Sequence, residues 1–387
     1  MGDATLKSSY ARAGRVLFLA LLSALFPIPT FSARMAQALE NPPPLEAMVG
    51  QMVMTGFRGT GGHPLSEDLR FLLEDIAKGK VGGVILFEPD YITKSGRNIQ
   101  SRRQLRNLTA MMQKKAPIPL FIAVDQEGGR VRRLLPAHGA PATPAAREMG
   151  RATPAETYLR GKELGDFLAR VGINTNFAPV VDLDVNPDSP AIGRMGRAFS
   201  AEAGPVARHA GAFAEGLASA KVLYCYKHFP GHGSAAEDSH AEYADITRTW
   251  KKEELDPYRR LLRKDMPGMV MVGHLLHMGL DPSRPSSLSS STVNGLLRAE
   301  LGWEGVVITD DLQMDAVSGA YSLKEAIRLA LEAGADVILT GNNLRHDPRQ
   351  GRRTYDIILE LVRSGKIERR RIEESYGRIT ALKKNLF

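Results

Sequence analysis

Cysteine is nearly absent from this chain, which carries only Cys225 among its 387 residues. A single cysteine cannot close an internal disulfide, so the fold must depend on its apolar core. Aromatic residues are also few, at 6%, and no arginine-rich tract is interleaved with them, which argues against a nucleic-acid partner. The hydrophobic share of 43% and the charged share of 24% are typical of a globular protein and point away from disorder or a membrane bundle.

Long apolar runs are missing too, apart from one near the N-terminus. The stretch VLFLALLSALF, residues 16–26, follows a basic segment, and the small residues AQA at 36–38 supply the spacing that signal peptidase prefers. Residues 1–38 are therefore predicted to be a secretory signal peptide. Two prolines after the run would shorten a spanning helix, although an uncleaved anchor remains the alternative. We expect an exported protein, periplasmic or secreted, with no stable membrane insertion once the signal is cleaved.

From about residue 40, short apolar runs alternate with amphipathic stretches, and eight of each can be counted. The predicted strands cover 51–57, 82–87, 119–125, 173–183, 221–228, 269–277, 305–311 and 335–341. Eight strand–helix units in series predict an α/β fold of the (β/α)8 barrel type, formed by one catalytic domain over residues 39–387. A doubly wound sheet remains possible, but no Gly-x-Gly-x-x-Gly motif follows the first strand.

Helices are predicted over 66–79, 157–172 and 322–334, among others. In the last of these, Ser322 and Glu325 have the spacing of a capping box, and Gly334 is a helix-stop signal.

Polar residues gather where four of the predicted strands end. These are the segments 125–130 (DQEGGR), 227–228 (KH), 309–311 (TDD), and the neighbourhood of His274 and His277. Taken alone, each of these segments has a simpler explanation, such as helix capping by an aspartate or a turn that requires glycine. Because active sites of such barrels lie at the carboxyl ends of the strands, we predict the active site there. The roles of His274 and His277 stay open.

The stretch KHFPGHGSAAEDSH, residues 227–240, carries the most chemistry. His228, His232 and His240, with Asp238 as a fourth ligand, could form a zinc site. Prolines and glycines make a helix here improbable, however, and no His-Glu-x-x-His motif is present. A zinc-dependent hydrolase therefore remains the alternative hypothesis, while metal-free chemistry is favoured.

Two covalent alternatives are weaker. Ser239 and His240 are chain neighbours and lack a nucleophile elbow, and nothing adjacent to Lys227 would lower its pKa for a Schiff base.

A third interpretation fits the residue types better. Small residues between 231 and 236 could form a movable loop, on which Asp238 and His240 pair so that the imidazole donates and then accepts a proton.

At this point the sequence resembles the β-N-acetylhexosaminidases of glycoside hydrolase family 3. The resemblance rests on five ordered motifs and covers the chain from about residue 45 to its end. Besides KHFPGHG-x4-DSH, the motifs are DQEGGRVRR (125–133), NFAPVVDLD (176–184), IGRMGRAFS (192–200) and GVVITDDLQMDA (305–316). The resemblance implies a (β/α)8 barrel, in agreement with the strand count.

The resemblance also implies catalytic roles. Asp310 would be the nucleophile that forms a covalent glycosyl-enzyme intermediate, His240 the general acid/base, and Asp238 its orienting partner. This mechanism retains the anomeric configuration and needs no metal or organic cofactor.

The sugar-binding residues implied by the resemblance form a charged set. They are Asp125, Arg133, Arg197, Lys227 and His228, with Arg194 as an alternative to Arg197. The predicted activity is that of an exo-β-N-acetylglucosaminidase acting on cell-wall fragments or chitooligosaccharides, and we expect a monomer. A catalytically silent sugar-binding barrel is a further alternative.

Overall fold

A computed structural model describes residues 43–236, 244–262 and 267–386. Its central sheet has eight strands in the order β10-β1-β2-β3-β4-β5-β7-β9, and every neighbouring pair is parallel. They are β1 (Val53–Thr55), β2 (Gly83–Leu86), β3 (Phe121–Val124), β4 (Thr175–Asn176), β5 (Leu223–Phe229), β7 (Gly268–Val272), β9 (Val306–Thr309) and β10 (Ile338–Thr340). Two further short strands, β6 (Ala244–Asp245) and β8 (Leu275–Leu276), pair separately.

The two edges of the sheet meet between β9 and β10. Ile308 forms a parallel bridge with Val337, and the Thr309 amide donates to the Val337 carbonyl over 3.1 Å. The sheet is thus closed into the predicted (β/α)8 barrel. Each of its eight strands lies within the predicted apolar runs or within one residue of them. The strand residues are buried because helices cover the outside and side chains fill the interior.

Helices surround this barrel. The α-helices are α1 (Leu45–Gln51), α2 (Glu67–Ala77), α3 (Arg102–Lys115), α4 (Ala146–Met149), α5 (Pro154–Arg170), α6 (Ala203–Ser219), α7 (Asp256–Leu261), α8 (Asp315–Ser318), α9 (Leu323–Ala333), α10 (Gln350–Arg363) and α11 (Arg369–Lys383), together with a π-helix at Ser291–Glu300. Among the residues that the structure describes, no helix is both long and apolar enough for a bilayer crossing.

The helix ends show how local sequence sets these bounds. Ser322 caps α9 by accepting from the Glu325 amide, and Gly334 ends the helix with φ of 113°. The Glu325 side chain instead binds Arg328, so only half of the predicted capping box forms. A complete one opens α5 at Thr153, and the helix therefore starts three residues before its predicted beginning.

A buried charge cluster lies at the opposite end of the barrel from the predicted site. Asp336, just before β10, accepts from Arg298 at 2.8 Å, Arg378 at 3.0 Å and Arg371 at 3.2 Å. Burial would raise the pKa of Asp336, but the three guanidinium groups outweigh burial and hold it below its ordinary value. The cluster fastens the last helix and the π-helix to the barrel.

Candidate active site

A cavity of about 450 Å³ opens at the carboxyl ends of the strands. Its lining includes six of the eight residues predicted from the sequence, namely Asp125, Arg133, Arg197, Lys227, His228 and Asp310. Three barrel strands supply most of them. Asp125 directly follows β3, Lys227 and His228 lie just before the last residue of β5, and Asp310 directly follows β9. The other two, Asp238 and His240, lie outside the described residues.

Glu127 holds two cations of the charged wall of the cavity. This wall consists of Asp125, Glu127, Arg133, Arg197, Lys227 and His228. Its buried carboxylate accepts two hydrogen bonds from Arg197, at 2.7 and 2.8 Å, and lies 2.7 Å from the Lys227 ammonium. Burial would raise the pKa of Glu127, but the charges of Arg197 and Lys227 outweigh burial and hold it well below its usual range. Glu127 is thus ionised at neutral pH and fixes both cations.

The Lys227 ammonium also contacts Asp125, at 2.8 Å. Burial would lower the pKa of Lys227, but the two carboxylates outweigh it and raise this pKa above its usual value. Lys227 therefore stays charged, which suits hydrogen bonding to sugar hydroxyls and not Schiff-base chemistry. Arg133 lies 3.5 Å from the other Asp125 oxygen, and its backbone is held by the Gln126 side chain.

Asp182 orients the histidine of this wall. Its carboxylate is buried, lies 2.7 Å from His228 Nδ1 and accepts from the His228 and His232 amides. His228 Nε2 is then directed toward Arg197, 3.3 Å away. Burial lowers the pKa of His232 to about 4, so this second imidazole is neutral at physiological pH.

Asp310 is held by backbone contacts at its strand end. Its amide donates to the Val272 carbonyl over 3.0 Å, and its Oδ1 accepts from the Asp311 amide over 2.8 Å. Asp311 in turn accepts from the Gly341 and Gln313 amides. The Asp310 carboxylate therefore has a fixed orientation in the cavity.

The two histidines left open by the sequence have different surroundings. His274 is buried behind this segment, where Nε2 donates to the Asp311 carbonyl over 2.9 Å and Nδ1 lies 2.7 Å from Ser287 Oγ. His277 packs against Trp250 and accepts from backbone amides of a turn. Neither lines the cavity.

Within residues 43–236, 244–262 and 267–386, no group of three or more histidine, cysteine and acidic side chains is placed to hold a metal ion. Of the four ligands in the zinc hypothesis, His228 and His232 are described. Their rings meet edge to face, with centroids 5.6 Å apart, and both residues bind Asp182.

Glu127 and Asp182 belong to the site but were given no role from the sequence. Both lie in the quoted motifs, one in DQEGGRVRR and the other in NFAPVVDLD. An acidic residue next to an apolar strand was the available signal. The structure also separates Arg194 from Arg197. Arg197 lines the cavity, whereas the Arg194 side chain is 65% exposed beside Asp188.

Comparisons with known proteins agree with this geometry. The model of the glycosyl hydrolase family 3 N-terminal domain matches residues 44–382. A beta-hexosaminidase from Alkalilimnicola ehrlichii is 39% identical over 317 residues, which cover 78% of this chain and 85% of that protein. Beta-hexosaminidase A from Pseudoalteromonas piscicida is 31% identical, with 91% of this chain and 63% of that protein covered. This chain thus spans less than two thirds of the latter.

A solved structure extends the comparison to the fold. The glycoside hydrolase family 3 β-N-acetylglucosaminidase from Paenibacillus superimposes with a TM-score of 0.80 at 36% identity, covering 89% of this chain and 63% of that chain. The family model, the sequence relatives and the fold agree. This chain belongs to glycoside hydrolase family 3.

Proposed function

We propose that this protein is a retaining exo-β-N-acetylglucosaminidase that releases terminal β-linked GlcNAc from cell-wall fragments or chitooligosaccharides. The observation that carries the proposal is that the Asp310 carboxylate and the charged hydrogen-bonding groups line one and the same cavity. Relatives whose names identify them as beta-hexosaminidases support the choice of sugar.

In the first step, an Asp310 carboxylate oxygen attacks the anomeric carbon, and the bond from that carbon to the leaving-group oxygen breaks. His240 donates its proton to this oxygen, so the aglycone departs as a neutral alcohol. In the second step, neutral His240 removes a proton from water, whose oxygen attacks the anomeric carbon and releases Asp310. Two inversions leave the sugar with its original configuration.

The charged wall would bind the sugar through its hydroxyl groups. Lys227 and Arg133 can donate hydrogen bonds and Asp125 can accept them. Because the wall groups are fixed by Glu127 and Asp182 before substrate arrives, they need little reorganisation as positive charge develops on the sugar ring. His240 and its partner Asp238, which follow β5 in the sequence, would supply the proton.

The first test is hydrolysis of p-nitrophenyl β-N-acetylglucosaminide beside the matching β-glucoside, each with and without EDTA. We expect release from the first substrate alone, unchanged by the chelator. Loss of activity with EDTA would favour the zinc hydrolase instead. Tight sugar binding without turnover of either substrate would favour a silent sugar-binding barrel.

The acid/base role is tested by leaving-group dependence. His240→Ala should slow substrates with poor leaving groups far more than activated aryl glycosides, because only the former need a proton donor. Equal losses on both kinds of substrate would contradict this role for His240.

Export is part of the proposal. Cleavage after Ala38 would give a mature protein that begins at Leu39. N-terminal sequencing of protein from a periplasmic or culture fraction would test this. Full-length protein retained in a membrane fraction would support the uncleaved anchor.

A further inference from the structure

Two described segments flank the part of the sequence that holds Asp238 and His240. We call residues 230–235 the first stem and residues 244–246 the second stem. Every residue of the first stem is buried, although small residues within it were expected to give a movable loop. The contacts of the two stems show what holds this part of the chain to the barrel.

Four side chains hold the backbone of the first stem. Each forms a hydrogen bond of 2.8 to 3.1 Å with an amide or a carbonyl of this stem, and the four are Asp182, Asn186, Trp250 and Glu254. At Gly233 an added Cβ would lie only 1.8 Å from the Leu183 carbonyl oxygen. This glycine therefore serves close packing, and the first stem is fixed against the chain that follows β4.

The second stem belongs to the small separate sheet and to an apolar cluster. Ala244 pairs with Leu275, and the Ile246 amide donates to the Leu276 carbonyl over 2.9 Å. Ala244, Ile246 and Leu275 are fully buried in one cluster with Ala235 of the first stem. The two stems are thus joined to each other by apolar packing.

Trp250 contacts both stems. Its indole Nε1 donates to the Pro230 carbonyl of the first stem over 3.1 Å. Its amide donates to the Ile246 carbonyl of the second stem over 2.9 Å, and its half-buried ring packs against the shared cluster. The His277 ring meets the indole edge to face, with centroids 5.0 Å apart. Replacing the indole should therefore loosen both stems at once.

Glu254 holds the first stem from a position four residues after Trp250. Its Oε2 accepts from the Gly233 amide over 3.1 Å. Its side chain also packs against Gly231, where an added Cβ would lie 2.7 Å from Glu254 Cβ. The short stretch 250–254 thus supplies two of the four side chains that fix the first stem.

We infer that Trp250 and Glu254 are positioning residues for the general acid/base, because the stems they fix limit where His240 can lie. The inference rests on the proposed function, in which His240 passes a proton to the leaving group. His240 lies among residues 236–243, between the two stems in the sequence. Fixing both ends of so short a segment removes most of the positions that a free chain would reach, and proton transfer requires hydrogen-bond distance.

Substrates with different leaving groups separate proton donation from the other steps. Phenyl β-N-acetylglucosaminide needs a proton on its departing oxygen, whereas the dinitrophenyl glycoside departs without one. Azide gives a second measure, since it attacks the anomeric carbon of the glycosyl-enzyme without help from a base. That attack releases the Asp310 carboxylate and forms a glycosyl azide, so azide should raise kcat only where base assistance is weakened.

Trp250→Phe should lower kcat/KM on the phenyl glycoside by about tenfold, which is part of the roughly hundredfold or more that a general acid contributes. On the dinitrophenyl glycoside the change should be less than about twofold, because that leaving group needs no proton. Azide should raise kcat of this variant on the dinitrophenyl glycoside and form the glycosyl azide.

Trp303→Phe is the matched control. Trp303 is the other of the two tryptophans, and its indole also donates to a backbone carbonyl, that of Val306 over 3.2 Å. Val306 begins β9, so this contact lies at the opposite end of the barrel from the cavity. The control should leave unchanged both the ratio of the two rates and the response to azide.

Glu254 offers a second pair of variants. Glu254→Ala removes the acceptor of the Gly233 amide and should lower the ratio of phenyl to dinitrophenyl rates by about fivefold, again a part of the acid's contribution. Glu254→Gln keeps an oxygen at that place and should restore the ratio of the unaltered protein. This pair decides the inference alone if Trp250→Phe does not fold.

Equal losses on the two glycosides in Trp250→Phe and Glu254→Ala, or no loss on either, would overturn the inference. The same shift in Trp303→Phe would also overturn it, since the effect would then come from a general loosening of the fold. A Glu254→Gln protein as impaired as Glu254→Ala would remove Glu254 from the role. An unaltered protein that hydrolyses neither glycoside, or a His240→Ala protein without leaving-group dependence, would instead refute the proposed function.

Discussion

Replacing Glu127 with glutamine removes the one negative charge that Arg197 and Lys227 share. The change keeps the shape of the side chain but loses three charge-assisted contacts, two from Arg197 at 2.7 and 2.8 Å and one from Lys227 at 2.7 Å. It also turns an amide NH2 toward two cations that can only donate. The variant thus tests whether Glu127 organises the charged wall.

The size of the effect follows from burial. Breaking one partner of a buried ion pair typically costs about 3–5 kcal/mol. Asp125 remains 2.8 Å from Lys227 and keeps part of its compensation, so we expect the lower end, a loss of about 3 kcal/mol in the free energy of unfolding at pH 7. Activity should fall about a hundredfold in kcat/KM, because misplacing groups that bind the substrate costs this order.

The pH dependence gives a further check on the cause. The pKa of Glu127 in the folded protein lies well below that of an unfolded glutamate, because Arg197 and Lys227 outweigh burial. A depressed folded pKa contributes stability above the unfolded value of about 4.5 and loses it as the pH falls. The deficit of Glu127→Gln should therefore be full at pH 7 and shrink below about pH 4.5.

Urea unfolding, followed by tryptophan fluorescence, would measure these free energies, with pNP-GlcNAc hydrolysis as the activity readout. Glu163→Gln is the matched control, since Glu163 forms an exposed ion pair with Arg160 and should change stability by less than about 1 kcal/mol. A Glu127→Gln protein as stable and active as this control would refute the role of Glu127 in holding Arg197 and Lys227. So would a deficit of equal size at pH 7 and below pH 4.

Two further predictions concern buried acids outside the cavity. Asp336→Asn leaves three arginines without their shared carboxylate, and should lower the free energy of unfolding by about 3–5 kcal/mol at pH 7; a loss below about 1 kcal/mol in urea would contradict the cluster's role. Burial raises the pKa of Glu254 to about 7, so its ionised form destabilises the fold increasingly from pH 4.5 to pH 7. Glu254→Gln should therefore match the unaltered protein near pH 4.5 and exceed its stability by up to about 3 kcal/mol at pH 8, and parallel stability curves over that range would show that Glu254 is not the cause.

The barrel could be predicted because eight buried parallel strands leave eight apolar runs, but the lengths of the paired segments could not. The run 173–183 was predicted as one strand, whereas only Thr175–Asn176 pairs regularly as β4. Beyond these residues the backbone reaches β5 at separate points, through a hydrogen bond from the Cys225 amide to the Ala178 carbonyl and a bridge between Val180 and Lys227. A run of apolar residues indicates burial and not strand pairing. The residues after β4 are buried but do not belong to the regular sheet, so the strand was predicted too long.

The site was predictable where a residue sits at the carboxyl end of a strand, as Asp125, Lys227 and Asp310 do. Glu127 and Asp182 escaped because a carboxylate that will face buried cations has the same sequence neighbourhood as one that faces water.

The central claim is that Asp310 forms a covalent bond to the sugar. A 5-fluoro glycosyl fluoride of GlcNAc should trap that intermediate, because the ring fluorine slows both steps whereas the fluoride leaving group speeds only its formation. Peptide mass spectrometry of the trapped protein should place one sugar on Asp310, with fragment ions that distinguish it from Asp311, and Asp310→Asn should give no adduct. A sugar on any other residue, or turnover without any adduct, would contradict the assignment of Asp310 as nucleophile.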